Sequence, residues 1–292
     1  MILNFIKLNN NVCDQIYNEA QIHFTKSCPN KCVFCIDALN DGLVCGPKPD
    51  IDSIFTSLIS VRDKIDEMTI SGGEPFAYIN ELLTLVRRIK RYMPSKKLSI
   101  ITSMPYNCWK DKDKFFEIIN LVDSLTITPQ HKDLNIGDAI RGSKSKFDRN
   151  ALLKEIPYKN KVSLTINLVR NFLDTRTDLI SNINFFEAMG YSHFKIAEMF
   201  NRDELYISIE DILGIRLGHP FSTGCVTRHY DMTKFIPGTK SDFTLKRSCF
   251  LVCQKCKSHF SDMIKMAIRQ LFTKKYFFCV IYENGTILPY WV

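Results

Sequence analysis

The chain has 292 residues, 45% hydrophobic and 24% charged, with 39 basic and 31 acidic side chains giving a formal net charge of +8. That balance allows a sizeable core in one large α/β domain with a smaller one, and the length argues against a short, loop-rich secreted disulfide scaffold. Neither a secretory signal nor a membrane span is expected: the first eleven residues are broken by Asn and Lys, and no window approaches ~18 uninterrupted apolar residues.

In chain order, residues 1–20 form an extension. Residues 21–25 read as a strand leading into a cysteine cluster. Residues 52–65 carry Ile54, Phe55, Leu58, Ile59, Val61 and Ile65 near helical spacing. A strand over 68–71 ends at Gly72-Gly73. A helix over 80–93 follows, with Asn80 as its cap and Pro94 beyond its end. Strand 97–102, helix 114–121, strand 124–128 (stopped by Pro129), helix 146–156, strand 162–169, helix 178–189 (closed by Gly190) and strand 193–197 come next. A last helix opens at Ser208, which has Asp211 at capping-box spacing. Six strands, each followed by a helix, predict a parallel sheet over 21–215, open or as an incomplete barrel, with ligands at the C-terminal strand ends. Beyond 215 Gly and Pro break the pattern, four of the eleven cysteines fall between 225 and 256, and Asn284-Gly285 signals a hairpin. Residues 216–292 are therefore expected to form a small Cys-rich domain.

Cys28-Pro-Asn-Lys-Cys32-Val-Phe-Cys35 puts three thiols within eight residues. Iron–sulfur cubes are commonly held by four thiolates, so a loop offering three leaves one iron open to a bound molecule. A zinc site, with His23 or Cys45 as fourth ligand, is the alternative. The Cys-x3-Cys-x2-Cys spacing, with an aromatic residue before the third Cys, resembles the signature of radical S-adenosylmethionine (SAM) enzymes. The resemblance implies a 4Fe–4S cluster on Cys28, Cys32 and Cys35. Its open iron would chelate SAM, and Phe34 would pack near the adenine.

Further segments extend that resemblance over residues 21–200 and imply a partial (β/α)6 TIM-like barrel. Ser71-Gly72-Gly73-Glu74-Pro75 matches the family motif that binds the SAM amino group. Ser103 ends the third strand, where the family contacts the ribose, and Gln130 ends the fourth. Asp138-Ala-Ile-Arg141-Gly142-Ser143 resembles a segment of the molybdenum-cofactor-synthesis and peptide-modifying branches, with Arg141 facing the SAM carboxylate. Asn167 and Ile196 stand at other family contact positions.

Cys249-Phe-Leu-Val-Cys253-Gln-Lys-Cys256 repeats the spacing without a Gly-Gly-Glu-Pro. It looks similar to the twitch or SPASM auxiliary-cluster domains, which implies a second 4Fe–4S cluster with Cys225, or else Cys279, as fourth ligand. A structural zinc and unligated buried thiols are the alternatives. Cys13, Cys45 and Cys108 have no partner spacing.

The expected function is reductive cleavage of SAM to a 5′-deoxyadenosyl radical that takes a hydrogen from a substrate. A ribosomally made peptide is the first choice; sugar or nucleotide dehydrogenation, RNA modification and a non-catalytic zinc module are the others. The expected partners are that substrate and an electron donor such as flavodoxin or ferredoxin. The chain is expected to be cytoplasmic, with no membrane partner, and the basic balance keeps RNA open.

Overall fold

In the computed structural model, the residues described are 18–35, 46–143, 147–199, 204–215, 225–230, 236, 238–239, 241–248 and 278–288. In chain order the elements are β1 (Glu19–His23), α1 (Ile51–Val61), β2 (Glu67–Ser71), α2 (Ile79–Tyr92), β3 (Lys97–Thr102), α3 (Tyr106–Lys110), α4 (Lys112–Leu121), β4 (Ser124–Ile127), α5 (Leu134–Arg141) and α6 (Arg149–Glu155). They continue with β5 (Val162–Asn167), α7 (Arg176–Ala188), β6 (His193–Ala197), α8 (Ile209–Leu213), β7 (Cys225–Tyr230), β8 (Asp242–Ser248), β9 (Phe278–Tyr282) and β10 (Ile287–Leu288).

The amphipathic pattern is what folds the βα units. In α1, Asp50 caps the helix by accepting from the Ser53 amide, and Ile54, Leu58 and Val61 form its buried stripe. In α2 the buried face is Leu82, Leu83, Leu85, Val86 and Ile89. Strand β5 is buried along almost its whole length, as a parallel strand covered on both faces must be. The helix expected to start at Asn80 starts one residue earlier, because a 3-10 turn at Pro75–Tyr78 runs straight into it and Glu74 caps that turn. The helix expected from 146 begins at Arg149, where Asp148 accepts from the Ala151 amide. Ser208 caps α8 by accepting from the Glu210 amide.

The ten strands among the described residues belong to one sheet, in the order β10-β9-β1-β2-β3-β4-β5-β6-β8-β7. The six expected strands pair in sequence order and in parallel, so a right-handed βα march brings all their C-terminal ends to one rim. Beyond residue 215 the chain adds to both edges of that sheet. Strand β8 pairs in parallel with β6 and β9 with β1, while β7 and β10 close the two edges antiparallel. The hairpin at Asn284-Gly285 forms as expected between β9 and β10. It is fastened to α1: the Asp50 amide donates to the Glu283 carbonyl at 3.0 Å and Ser57 Oγ donates to the Gly285 carbonyl. Cys279 lies opposite Ala20 in the sheet, buried in the apolar core. No helix among the described residues is long and apolar enough to cross a membrane.

Candidate metal and cofactor site

The cysteine loop leaves the C-terminal end of β1 and is gripped by backbone on two sides. On its stem, the Phe24 amide donates to Ser71 O at 2.9 Å, the Gly73 amide to Thr25 O at 2.6 Å and the Glu74 amide to Ser27 O at 2.9 Å. This approach needs glycine: a Cβ on Gly73 would sit 2.4 Å from Ser27 O, and Gly72 has φ +117°. Farther along, the loop's own amides donate to the end of α5, Lys31 N to Arg141 O at 2.8 Å and Val33 N to Ile140 O at 3.0 Å. Gly142 ends that helix in the left-handed region, φ +56°, and a Cβ there would meet Lys31 O at 2.6 Å. Between the two grips Cys28, Cys32 and Cys35 are half-buried, and the Cys35 amide closes a turn onto Cys32 O at 3.0 Å.

Glu74 is fully buried, and its carboxylate takes four donors. They are Phe76 N at 3.1 Å and Thr102 Oγ1 at 2.7 Å on one oxygen, Ser103 N at 2.8 Å and Ser103 Oγ at 2.5 Å on the other. Burial pushes this carboxyl above its usual range, and the donors from Ser103, Thr102 and Phe76 oppose that. These four donors stabilise the carboxylate against that burial. Pro75 is buried at the first position of the following turn. Ser103 accepts from Asn30 Nδ2 at 2.7 Å, which ties the β3 end to the cysteine loop.

Across the rim, Gln130 and Asn167 meet: Asn167 Nδ2 donates to Gln130 Oε1 at 3.3 Å, with both side chains buried. Gln130 has φ +70° and Met104, just beyond β3, has φ +56°. Non-glycine residues held there cost free energy that surrounding structure must offset, and such strain gathers at functional rims. Phe34 packs beside Ile140, Val169 and Met199 in a small apolar cluster of its own. Ile196 is fully buried in the main core, paired in register with Ile166 and Leu245.

Arg141 is buried under the loop. It donates to the Pro129 carbonyl and lies 3.5 Å from Asp138, while Arg149 also donates to Asp138. Two guanidinium groups share one carboxylate, and the Nε atoms of both arginines are buried without a hydrogen-bond partner. Burial, then Arg149, pulls Arg141 down to about 10, still protonated at neutral pH. Burial pushes the Cys28 and Cys32 thiols up to about 12; for Cys32 the neighbouring Cys35 adds to this and Arg141 opposes it.

Sequence reasoning passed over Asn30, Thr102, Asp138, Arg149 and Glu198. The first three lie inside or beside motifs already singled out. Arg149 and Glu198 carry no local signal. Glu198 is a buried carboxylate just past β6, accepting from the Ile209 amide at 3.1 Å.

Residues 20–146 match the family described as a 4Fe-4S single cluster domain. An S-adenosylmethionine-dependent nucleotide dehydratase RSAD2 from Oncorhynchus mykiss is 26% identical over 200 residues, which is 65% of this chain and 55% of that protein. The match thus spans little more than half the length of that relative. The crystal structure of SuiB from Streptococcus suis superposes with a TM-score of 0.61 at 18% identity, over 94% of this chain and 60% of that one, and shares its fold. The chain is thus similar in sequence to a 4Fe-4S cluster domain and to an S-adenosylmethionine-dependent enzyme, and it shares a fold with SuiB.

The loop fits the cluster that radical SAM chemistry requires. Three sulfur donors sit on one fixed loop, and Arg141 places positive charge beside Cys32, where an anionic thiolate cluster would lie. Among the described residues no three His, Cys, Asp or Glu side chains converge to hold a single metal ion. His23, once weighed as a zinc ligand, pairs with Glu283 at 3.3 Å. With the Gly73 and Glu74 amides engaged to the loop, this segment can offer a SAM amino group its carbonyl oxygens. Cys225 lies in β7, its side chain not among those described; Cys45, Cys249, Cys253 and Cys256 lie outside the described residues.

Proposed function

We propose that this chain cleaves SAM reductively at a 4Fe–4S cluster on Cys28, Cys32 and Cys35 and acts on a nucleotide-type small molecule. The carrying observation is the three-thiol loop, gripped between Gly72-Gly73-Glu74 and Ile140-Arg141-Gly142 on the rim of a parallel sheet. The cluster would supply one electron to SAM, whose cleavage would release methionine and leave a 5′-deoxyadenosyl radical able to take a substrate hydrogen. The chain's own part is to fix the loop and place positive charge beside it, with the buried Gln130–Asn167 pair on the same rim. The electron would come from a flavodoxin- or ferredoxin-type donor.

The nucleotide reading is supported by the name of the 26% identical relative and by the +8 charge, which suits an anionic substrate. The peptide reading leans on a second 4Fe–4S cluster whose proposed ligands, Cys225, Cys249, Cys253 and Cys256, have no described side-chain geometry. The test is anaerobic reconstitution with iron and sulfide, reduction with dithionite and assay of 5′-deoxyadenosine from SAM. The parent should produce it, and a variant with Cys28, Cys32 and Cys35 all changed to Ala should not. Production by that variant sinks the assignment. Stimulation by nucleoside triphosphates supports the substrate class, and stimulation by peptides alone overturns it.

A further inference from the structure

The two faces of the sheet differ in chemistry. Right-handed βα crossovers put the helices on the outer face of the partial barrel, where Leu98, Ile100, Leu125, Ile127, Leu164 and Ile166 lie fully buried in the core. The alternate residues of the same strands face inward. A closed barrel fills that space with packed Val, Ile and Leu, whereas here β3, β4 and β5 present Ser99, Ile101, Ser124, Thr126, Ser163 and Thr165. They line up in layers. In the deeper layer Ser99 stands opposite Ser124, and the two hydroxyls bond each other at 2.7 Å. In the next layer Ile101, Thr126 and Ser163 stand side by side. Thr165 follows on β5, on the same face as Asn167. Among the described residues, none of the Thr126, Ser163 and Thr165 hydroxyls has a hydrogen-bond partner, although Thr165 is only 9% exposed. Ile101, between them and β2, is 40% exposed.

A hydroxyl carries one donor and two acceptor sites, and leaving them unmade in a half-buried place costs free energy. This layer is therefore built to meet water or a ligand. It begins about 6.6 Å, two residues along a strand, below Asn167 and the rim where the cysteine loop is held. Three hydroxyls beside a single apolar side chain match a ring with hydroxyls on its edge and C–H groups on its face. We propose that Thr126, Ser163 and Thr165 read the hydroxyl groups of a ribose, that Ile101 packs on the face of the same sugar, and that these four residues set the specificity of the substrate site. The inference rests on the nucleotide-type reading of the substrate. A site that hydrogen-bonds a substrate hydroxyl rejects the analogue lacking it, because its own polar group is then left unpaired. A peptide would instead require apolar surface for its side chains, and Ile101 is the one apolar residue among the six inward-facing ones named.

The experiment is anaerobic titration calorimetry of the iron-loaded protein with SAM present. The probes are the four ribonucleoside triphosphates and their 2′- and 3′-deoxy forms. The parent should bind a ribonucleotide and bind one of its deoxy forms more weakly. Thr126→Val, Ser163→Ala and Thr165→Val should each weaken the ribonucleotide by roughly 3- to 10-fold, the worth of one hydrogen bond. For at least one of them that loss should vanish against the deoxy form lacking the matching hydroxyl, as a double-mutant cycle requires of a direct contact. Thr126→Ser and Thr165→Ser keep the hydroxyl and should keep the preference, and Ile101→Ala should weaken ribo and deoxy forms alike. Iron content and SAM affinity are measured on every variant and should not change, which a merely structural role would not ensure. Nucleotide binding that ignores all four positions, or that does not distinguish ribo from deoxy forms in the parent, overturns the proposal alone. No nucleotide binding in a parent that still releases 5′-deoxyadenosine from SAM overturns both the proposal and the nucleotide reading.

Discussion

The two grips on the cysteine loop use the same backbone device with opposite polarity. On the Gly72-Gly73-Glu74 side, amides of the strap donate into the loop's carbonyls; on the Ile140-Arg141-Gly142 side, amides of the loop donate into the strap's carbonyls. Each side has a glycine where a Cβ would strike loop backbone. Their side chains then part company. Glu74 meets four donors, whereas Arg141 shares one carboxylate with Arg149 and keeps a partnerless Nε. A satisfied buried charge fixes shape, while a surplus one creates a field waiting for an opposite charge. The first grip is a latch and the second a positive seat.

Breaking the backbone device should have the largest effect. In Gly73→Ala the new Cβ faces Ser27 O at 2.4 Å, and backbone cannot rotate away as a side chain would. We expect a stability loss of about 1–3 kcal/mol from the overpacking, seen as a lower chemical-denaturation midpoint, and little iron retained after desalting. Gly142→Ala meets Lys31 O at 2.6 Å and adds left-handed strain, so it should lose iron as well. Wild-type iron content in either variant would mean the loop is not held from that side.

Side-chain removal should separate latch from seat. Glu74→Ala strands four donors around an empty site, so the unloaded protein should lose about 3–5 kcal/mol, as when one partner of a buried charged network is deleted. Arg141→Met keeps volume, removes a surplus charge and leaves Asp138 with Arg149. Its unloaded stability should change by less than about 1 kcal/mol, while binding of the anionic cluster weakens by about 1–2 kcal/mol, roughly 5- to 30-fold. Calorimetry of the unloaded protein and competition with an iron chelator read the two quantities separately. Equal stability losses in both variants would erase the distinction.

Much of this was legible in the chain. The βα alternation foretold six parallel strands, because helix-period and strand-period apolar patterns are local signals, and Asn284-Gly285 foretold its hairpin. Both glycine motifs were readable as motifs, but their partners were not. That Gly73 serves Thr25 and Ser27, or Gly142 serves Lys31, follows from which strand ends lie side by side. Glu74, Ser103 and Arg141 were singled out as ligand contacts from the resemblance, yet the bonds they make within the protein depend on residues 29 to 73 positions away or on a neighbouring charge. The pairing of β8 with β6 and of β9 with β1 was hidden for the same reason, since nothing in residues 242–248 or 278–282 says that the free edges of β6 and β1 await them.

The smallest expected effect is the sharpest on the comparison. With Cys28 and Cys32 pushed up to about 12, mainly by burial, both thiols of the unloaded protein are protonated at neutral pH. The thiolate is the nucleophile. Alkylation by iodoacetamide, followed by mass spectrometry at each cysteine, should therefore be slow at pH 7 and rise by roughly tenfold per pH unit over the accessible alkaline range. Arg141 opposes the rise at Cys32, whereas at Cys28 the largest influence after burial is Glu74, which adds to the rise. In Arg141→Met, Cys32 should react more slowly than in the parent while Cys28 keeps its rate, because the charge that favours its thiolate has gone from one end of the loop only. Equal slowing at both cysteines would mean that the seat acts on the whole loop, and the division between the Glu74 latch at Cys28 and the Arg141 seat at Cys32 would have to be abandoned.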